Sequence, residues 1–175
     1  METITVNQRD YCLPDRPVVV VCVDGCAGEY LALGFAHGEL PHLAKLAASG
    51  HYGQARGALP SFTNVNNCAM VTGTPPSQTG IGGNYILDPD TGEEVMTNSS
   101  RFLRNDTILA AASAVGRKVA MVTAKDKLRE LLSKGMDGIA FSAEKADEVS
   151  LEVNGIDDVE SFAGPKPSIY SGDAS

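Results

Sequence analysis

Apolar positions along the chain follow two patterns, and their alternation sets the fold class. Residues 17–23, Pro-Val-Val-Val-Val-Cys-Val, are a continuous β-branched run, the pattern of a strand buried on both faces of a parallel sheet. Residues 40–50 place Leu and Ala at helical spacing between an early Pro41 and a closing Gly50, which predicts a crossover helix. A loosely alternating stretch, 51–59, predicts a second strand that delivers the chain to Ser61-Phe62-Thr63. Beyond it, Val65, Cys68, Ala69 and Met70 predict a short buried helix ending before Gly73. Further on, Asn105-Asp106 caps a helix expected over 107–115 and stopped at Gly116. A third buried strand is expected over 117–123, a helix over 126–133 and a fourth strand over 138–141. Asp88-Pro89-Asp90-Thr91-Gly92 reads as the turn of a small hairpin flap. From 144 onward acidic and small residues dominate, and 164–175 reads as a turn followed by the start of a new element. The elements together predict one α/β domain over 1–175, with a mainly parallel sheet sandwiched by helices.

Composition removes several function classes. A net charge of −8 with scattered Lys and Arg excludes a nucleic acid or an anionic membrane surface as partner, because both are held by basic patches. Cys12, Cys22, Cys26 and Cys68 contain no Cys-x-x-Cys pair and read as reduced, mostly buried thiols. His37, His42 and His51 share no ligand spacing and read as surface residues. The first fifteen residues have neither a basic start nor an apolar run, and no stretch approaches the length of a membrane span. A cytoplasmic protein is expected, and a homodimer is allowed for.

The candidate chemistry gathers at strand ends and one helix start. Thr63 falls in the first turn of its predicted helix, after a possible Ser61 cap, where backbone N–H groups and the positive dipole end stabilise an alkoxide or a phosphoryl oxygen. A threonine hydroxyl also needs a base or a metal cation to become a nucleophile; the alternative is a plain helix cap. Asp24 ends the first predicted strand, where open α/β sheets bind ligands, and is otherwise a turn aspartate before Gly25. The Gly/Pro-rich loop 72–84 is no P-loop, since no Gly-Lys-Ser/Thr closes it. Its last residue, Asn84, can give its amide to an oxyanion or serve as a loop asparagine. Lys125 and Lys127 leave the third strand toward the same rim, and in an extended segment they would share one side; otherwise they open the following helix, against its dipole.

Val20-Val21-Cys22-Val23-Asp24-Gly25, Pro60-Ser61-Phe62-Thr63-Asn64-Val65-Asn66-Asn67, Gly80-Ile81-Gly82-Gly83-Asn84-Tyr85 and Thr123-Ala124-Lys125-Asp126-Lys127 together resemble the alkaline phosphatase superfamily, its nucleotide pyrophosphatase/phosphodiesterase-like branch. Within it the phosphonoacetate hydrolase group is most similar, over about the first two fifths of the family's length. The resemblance implies an incomplete alkaline phosphatase-like fold and two zinc ions. It makes Asp24 and Thr63 ligands of one zinc, Thr63 the nucleophile, Asn84 a holder of a phosphonate oxygen, and Lys125 and Lys127 attractors of a small anionic substrate, phosphonoacetate. Thr79 stands where relatives often have His. No Asp-x-x-x-His or Asp-His pair is present, so the remaining zinc ligands are missing and the chain alone is expected to be inactive. The alternatives are a phosphodiesterase or phosphomonoesterase of the same superfamily, or a non-catalytic anion-binding module.

Overall fold

The structure, a computed structural model, describes residues 2–146. The expectations for the acidic segment after 146 and for 164–175 lie outside the described residues. The described residues form two compact units, one of residues 2–15 with 58–146 and one of residues 16–57, and they are taken separately.

The chain opens with β1 (Thr3–Val6) and β2 (Arg9–Cys12), an antiparallel hairpin in which Val6 faces Arg9. Asn7 and Gln8 both take positive φ, 50° and 65°, the backbone a tight hairpin turn requires and one that Asn tolerates. The hairpin was not predicted from the sequence: its turn is Asn-Gln rather than Asn-Gly, and each strand is only four residues long. The Asn7 amide donates to the carbonyls of Thr72 and Asp106, each at 2.8 Å, so the turn ties two later segments together.

The 16–57 unit holds α1 (Gly28–Ala36) and α2 (Pro41–Ser49). Helix α2 has the boundaries its Pro41 and Gly50 predict. The two predicted strands of this region do not form. Residues 17–23 pair with no strand among the described residues, and Val18 to Val21 and Val23 are 65% to 84% exposed. The physical reason is that a doubly buried strand needs a hydrogen-bonded neighbour and helices on its faces. Residues 51–59 likewise carry no strand. Cys22 and Cys26 are exposed, as is Cys12, and Cys68 alone is buried, so the expectation of mostly buried thiols fails with the strand that was to bury them. The three histidines are exposed, as expected.

In the other unit, α3 (Thr63–Thr72) ends at Gly73, which adopts φ 65° as a left-handed C-cap. The loop beyond it winds into the short α4 (Pro76–Thr79). Next come the flap strands β3 (Tyr85–Leu87) and β4 (Glu94–Met96), antiparallel, with Leu87 opposite Glu94, as the 88–92 turn predicts. A 3-10 turn (Ser100–Phe102) leads to α5 (Ile108–Ala114). Its N-cap is Thr107, whose hydroxyl accepts the Ala110 N–H at 3.0 Å; Asn105-Asp106 lie too early to cap a helix that begins at 108. Strand β5 (Ala120–Thr123), α6 (Asp126–Leu132) and β6 (Ile139–Ser142) form a βαβ unit in which β5 and β6 run parallel.

The class is α/β, built among the described residues from three two-stranded sheets, of which the β5–β6 sheet is parallel. The main core joins Val65 and Cys68 of α3 to Ile81, Leu103, Leu131 and Leu132. It locks the start of α3 against α6, the two elements that carry Thr63 and Lys127. A smaller core packs Ile4, Val6 and Leu13 under α5. No helix among the described residues is long and apolar enough to cross a membrane.

Candidate active site

Thr63 is the first residue of α3 and is half-buried. The residue in the N-cap position is Phe62, extended at φ −106° and ψ 154°, and it supplies no side-chain cap. Ser61, expected to cap, stands one residue too early; its hydroxyl instead accepts from Asn66 Nδ2 at 3.2 Å. Asn66 also takes the Ala58 N–H on its Oδ1 at 2.8 Å, stapling the incoming chain to the helix. The N-cap residue therefore gives the first turn of α3 no side-chain acceptor, and Thr63 stands at the positive end of the helix.

Asn64 turns into the protein and is 8% exposed. Its Nδ2 donates to the Thr97 carbonyl at 3.1 Å and meets the Thr97 hydroxyl at 3.2 Å. Thr97, fully buried, directly follows β4. Its hydroxyl donates to the Gly83 carbonyl at 2.7 Å, and its N–H donates to the Asn84 carbonyl at 2.9 Å. The start of α3 is thus bonded through Thr97 to the backbone that carries Asn84. The Asn84 Oδ1 is buried, and no donor among the described residues reaches it. A carboxamide has a donor end and an acceptor end that exchange on a flip, so one end of this side chain is ready for a ligand.

Met96, the neighbour of Thr97, receives the Lys127 ammonium on its Sδ at 3.6 Å. Lys127 lies in the first turn of α6, and Lys125 is the N-cap residue of that helix; both are exposed. The segment is a helix start and not an extended strand, so strand alternation does not place the two ammonium groups. The first turn of α6 is steadied instead by acids: Glu144 accepts the Asp126 N–H at 2.8 Å, and Asp126 accepts from Arg129 Nε at 2.7 Å and from Ser142 Oγ at 3.0 Å. Above all the Arg129 bond holds the Asp126 carboxyl below its ordinary pKa, and a carboxylate suits a helix N-terminus.

Asp24 belongs to the other unit. It is exposed and sits with Gly25 (φ 73°) in a turn closed by the Cys26 N–H on the Val23 carbonyl at 3.4 Å. Thr63, Asn84 and Lys127 are therefore linked through Met96 and Thr97, whereas Asp24 is placed by its own turn. Asn64 and Thr97 escaped prediction; the one signal for Asn64 is its position directly after Thr63, and Thr97 has none.

Zinc is bound by at least three protein ligands. Among the described residues no group of three His, Cys, Asp or Glu side chains could hold a metal ion. The carboxylate of Asp24 and the hydroxyl of Thr63 are two oxygen donors, so the described residues alone do not fit a zinc ion.

Residues 18–136 match the model of the type I phosphodiesterase / nucleotide pyrophosphatase family. Among solved structures, the chain is similar to phosphonoacetate hydrolase from Sinorhizobium meliloti 1021 in complex with phosphonoformate, at 44% identity and a TM-score of 0.88. It is similar to the same hydrolase in complex with phosphonoacetate, at 43% identity and a TM-score of 0.89. Each match covers 97% of this chain and 42% of the other, so the chain spans about two fifths of the length of these relatives.

Proposed function

We propose, from the premise that the chain belongs to the type I phosphodiesterase / nucleotide pyrophosphatase family, that it carries the nucleophile side of a site that hydrolyses the C–P bond of phosphonoacetate. The supporting observation is the likeness, over 97% of the chain, to structures that hold phosphonoacetate and phosphonoformate.

In this reading the Thr63 oxygen forms a bond to phosphorus as the P–C bond breaks. The carbon takes the bonding pair and then a proton, leaving as acetate. Water next adds to phosphorus, the Thr63–phosphorus bond breaks, and phosphate leaves as the hydroxyl regains its proton. The N-terminus of α3 stabilises negative charge at the Thr63 oxygen, Asn84 holds a phosphonate oxygen, and Lys125 and Lys127 draw the two anionic ends of the substrate. The finer reading of the fold is a mainly parallel sheet sandwiched by helices. Asp24 and Thr63 are what the described residues offer toward the two zinc ions of the resemblance; the other donors have to come from elsewhere.

Phosphate release from phosphonoacetate by the full chain, meaning residues 1–175 completed to the length of these relatives, with and without Thr63→Ala, tests the reading. Residues 1–175 alone are expected to hold zinc weakly through dialysis and to release no phosphate; tightly held stoichiometric zinc with turnover would overturn the half-site. The family match itself favours a second reading, a phosphodiesterase. Turnover of bis(p-nitrophenyl) phosphate well above that of phosphonoacetate would select it. Anion binding by a full chain that turns over neither substrate would leave a binding module.

A further inference from the structure

The reading above assigns tasks to Thr63 and Asn84 and leaves open what fixes the one relative to the other. They lie on different segments, a helix start and a loop after two glycines. Ile81 anchors the loop in the core beside Val65, but Gly82 and Gly83, which lead from it to Asn84, have little stiffness of their own. What spans the gap is a chain of three hydrogen bonds: Asn64 Nδ2 to the Thr97 carbonyl, Thr97 Oγ1 to the Gly83 carbonyl, and the Thr97 N–H to the Asn84 carbonyl. Asn64 adjoins the proposed nucleophile, and Gly83 and Asn84 are the proposed oxyanion loop.

We propose that Asn64 and Thr97 are positioning residues that set the Asn84 carboxamide against the Thr63 hydroxyl. The inference rests on the assignment of Thr63 and Asn84 to one site. Neither residue touches substrate; both act through the segments they tie. The bonds join neutral groups, so the clamp itself carries no titrating member. The same clamp reaches Lys127 through Met96, whose sulfur lies 3.6 Å from the ammonium.

The geometry calls for Thr97 in particular. Its hydroxyl donates to Gly83 while its carbonyl accepts from Asn64 and its N–H serves Asn84. Valine has the same shape without the hydroxyl, and serine has the hydroxyl without the methyl. A displacement of about 1 Å in a reacting group can cost on the order of 100-fold in rate. Thr97→Val in the full chain is therefore expected to lower kcat by roughly ten- to 100-fold with KM changed by less than about threefold. Thr97→Ser should restore most of kcat.

The test measures kcat and KM on phosphonoacetate for Thr97→Val, Thr97→Ser and Asn64→Gln, beside the thermal midpoint of each and a Thr63→Ala control. In parallel, the side-chain amide resonances of Asn84 are followed by NMR as phosphonoformate is added. Support is a kcat loss in Thr97→Val, rescue by serine, and an Asn84 amide signal that shifts or broadens in the valine variant before any ligand is added. Should Thr97→Val fail to fold, Asn64→Gln carries the test: it keeps the amide and lengthens the arm by one methylene, so wild-type kcat in it overturns the clamp. Wild-type kcat in Thr97→Val also overturns it, as does a serine variant no better than valine. A Thr63→Ala variant that keeps its turnover sinks the underlying assignment instead, so the two failures are distinguishable.

Discussion

The ammonium of Lys127 rests 3.6 Å from the sulfur of Met96, at the end of the flap hairpin, and this sets it apart from Lys125, which precedes α6 in the N-cap position without a side-chain cap bond. A thioether is a weak acceptor, so the contact orients the ammonium without neutralising it. For a substrate with a carboxylate beside its phosphonate, an ammonium–anion contact in a partly desolvated site contributes about 1.5 to 3 kcal/mol, roughly ten- to 100-fold. Lys127→Ala in the full chain is expected to reduce kcat/KM on phosphonoacetate by that factor and to leave an aryl phosphodiester much less affected. Lys125→Ala should act in the same direction. Comparing both substrates on both variants is the check, and equal losses on the two would assign the lysines to the phosphoryl transition state or the fold.

In the full-length protein, Thr63→Ala should abolish phosphate release without loss of fold. The helix keeps its start, because the staple that joins Ala58 to α3 is made by Asn66. Circular dichroism together with a phosphate assay decides this, and Asp24→Ala is expected to lose metal as well as turnover. A Thr63→Ala variant near wild-type rate would move the attack to a water.

Gly73, the C-cap of α3, is tightly constrained. It sits at φ 65°, and a Cβ there would overlap the Tyr11 hydroxyl. Gly73→Ala combines left-handed backbone strain with that overlap and is expected to destabilise by about 2 to 3 kcal/mol. In a Tyr11→Phe background the hydroxyl overlap is gone and the loss should fall toward the backbone component of about 1 kcal/mol. Urea denaturation of the four proteins measures the difference.

Acid should weaken the fold through two carboxylates. The guanidinium of Arg101, hydrogen-bonded to the fully buried Asp88, holds that carboxyl below its ordinary value, helped by the Asp90 N–H on its Oδ1 at 3.0 Å. Asp126 is lowered in the same direction, chiefly by Arg129. A carboxyl whose folded pKa lies below its unfolded value of about 3.9 stabilises the fold above that value and loses the contribution as pH falls through the folded pKa. Stability followed by denaturation from pH 6 downward should be flat until about pH 5 and fall below about pH 4. Asp88→Asn is expected to be less stable at neutral pH, with a shallower acid limb; an unchanged limb would remove Asp88 from the account.

Much of this was legible in the sequence where local chemistry decides the outcome. Pro41 and Gly50 bound α2, Gly73 ends α3, and the 88–92 turn joins a hairpin because cap and turn residues act within a few positions of themselves. The Val-rich run read as a buried strand because burial was inferred from composition, yet burial depends on neighbours that composition does not name. The same holds for the site. Thr63, Asp24, Asn84 and the two lysines stand in recognisable motifs, whereas Thr97 comes to them through a carbonyl, an N–H and a hydroxyl from 33 residues beyond Asn64. Long-range bonds to backbone leave no spacing to read.

The bare run from Val18 to Val23 also governs how the chain behaves in company. Six consecutive residues without a charge or proline, flanked by Arg16-Pro17 on one side and Asp24 on the other, are a template on which identical runs from other copies can zip into intermolecular cross-β structure. Mutual repulsion from the net charge of −8 acts as the brake, and it vanishes near the isoelectric point of about 4.8. Shelf life of the purified chain should therefore depend steeply on concentration and on distance from that pH, and a gatekeeper charge such as Val20→Lys should lengthen it.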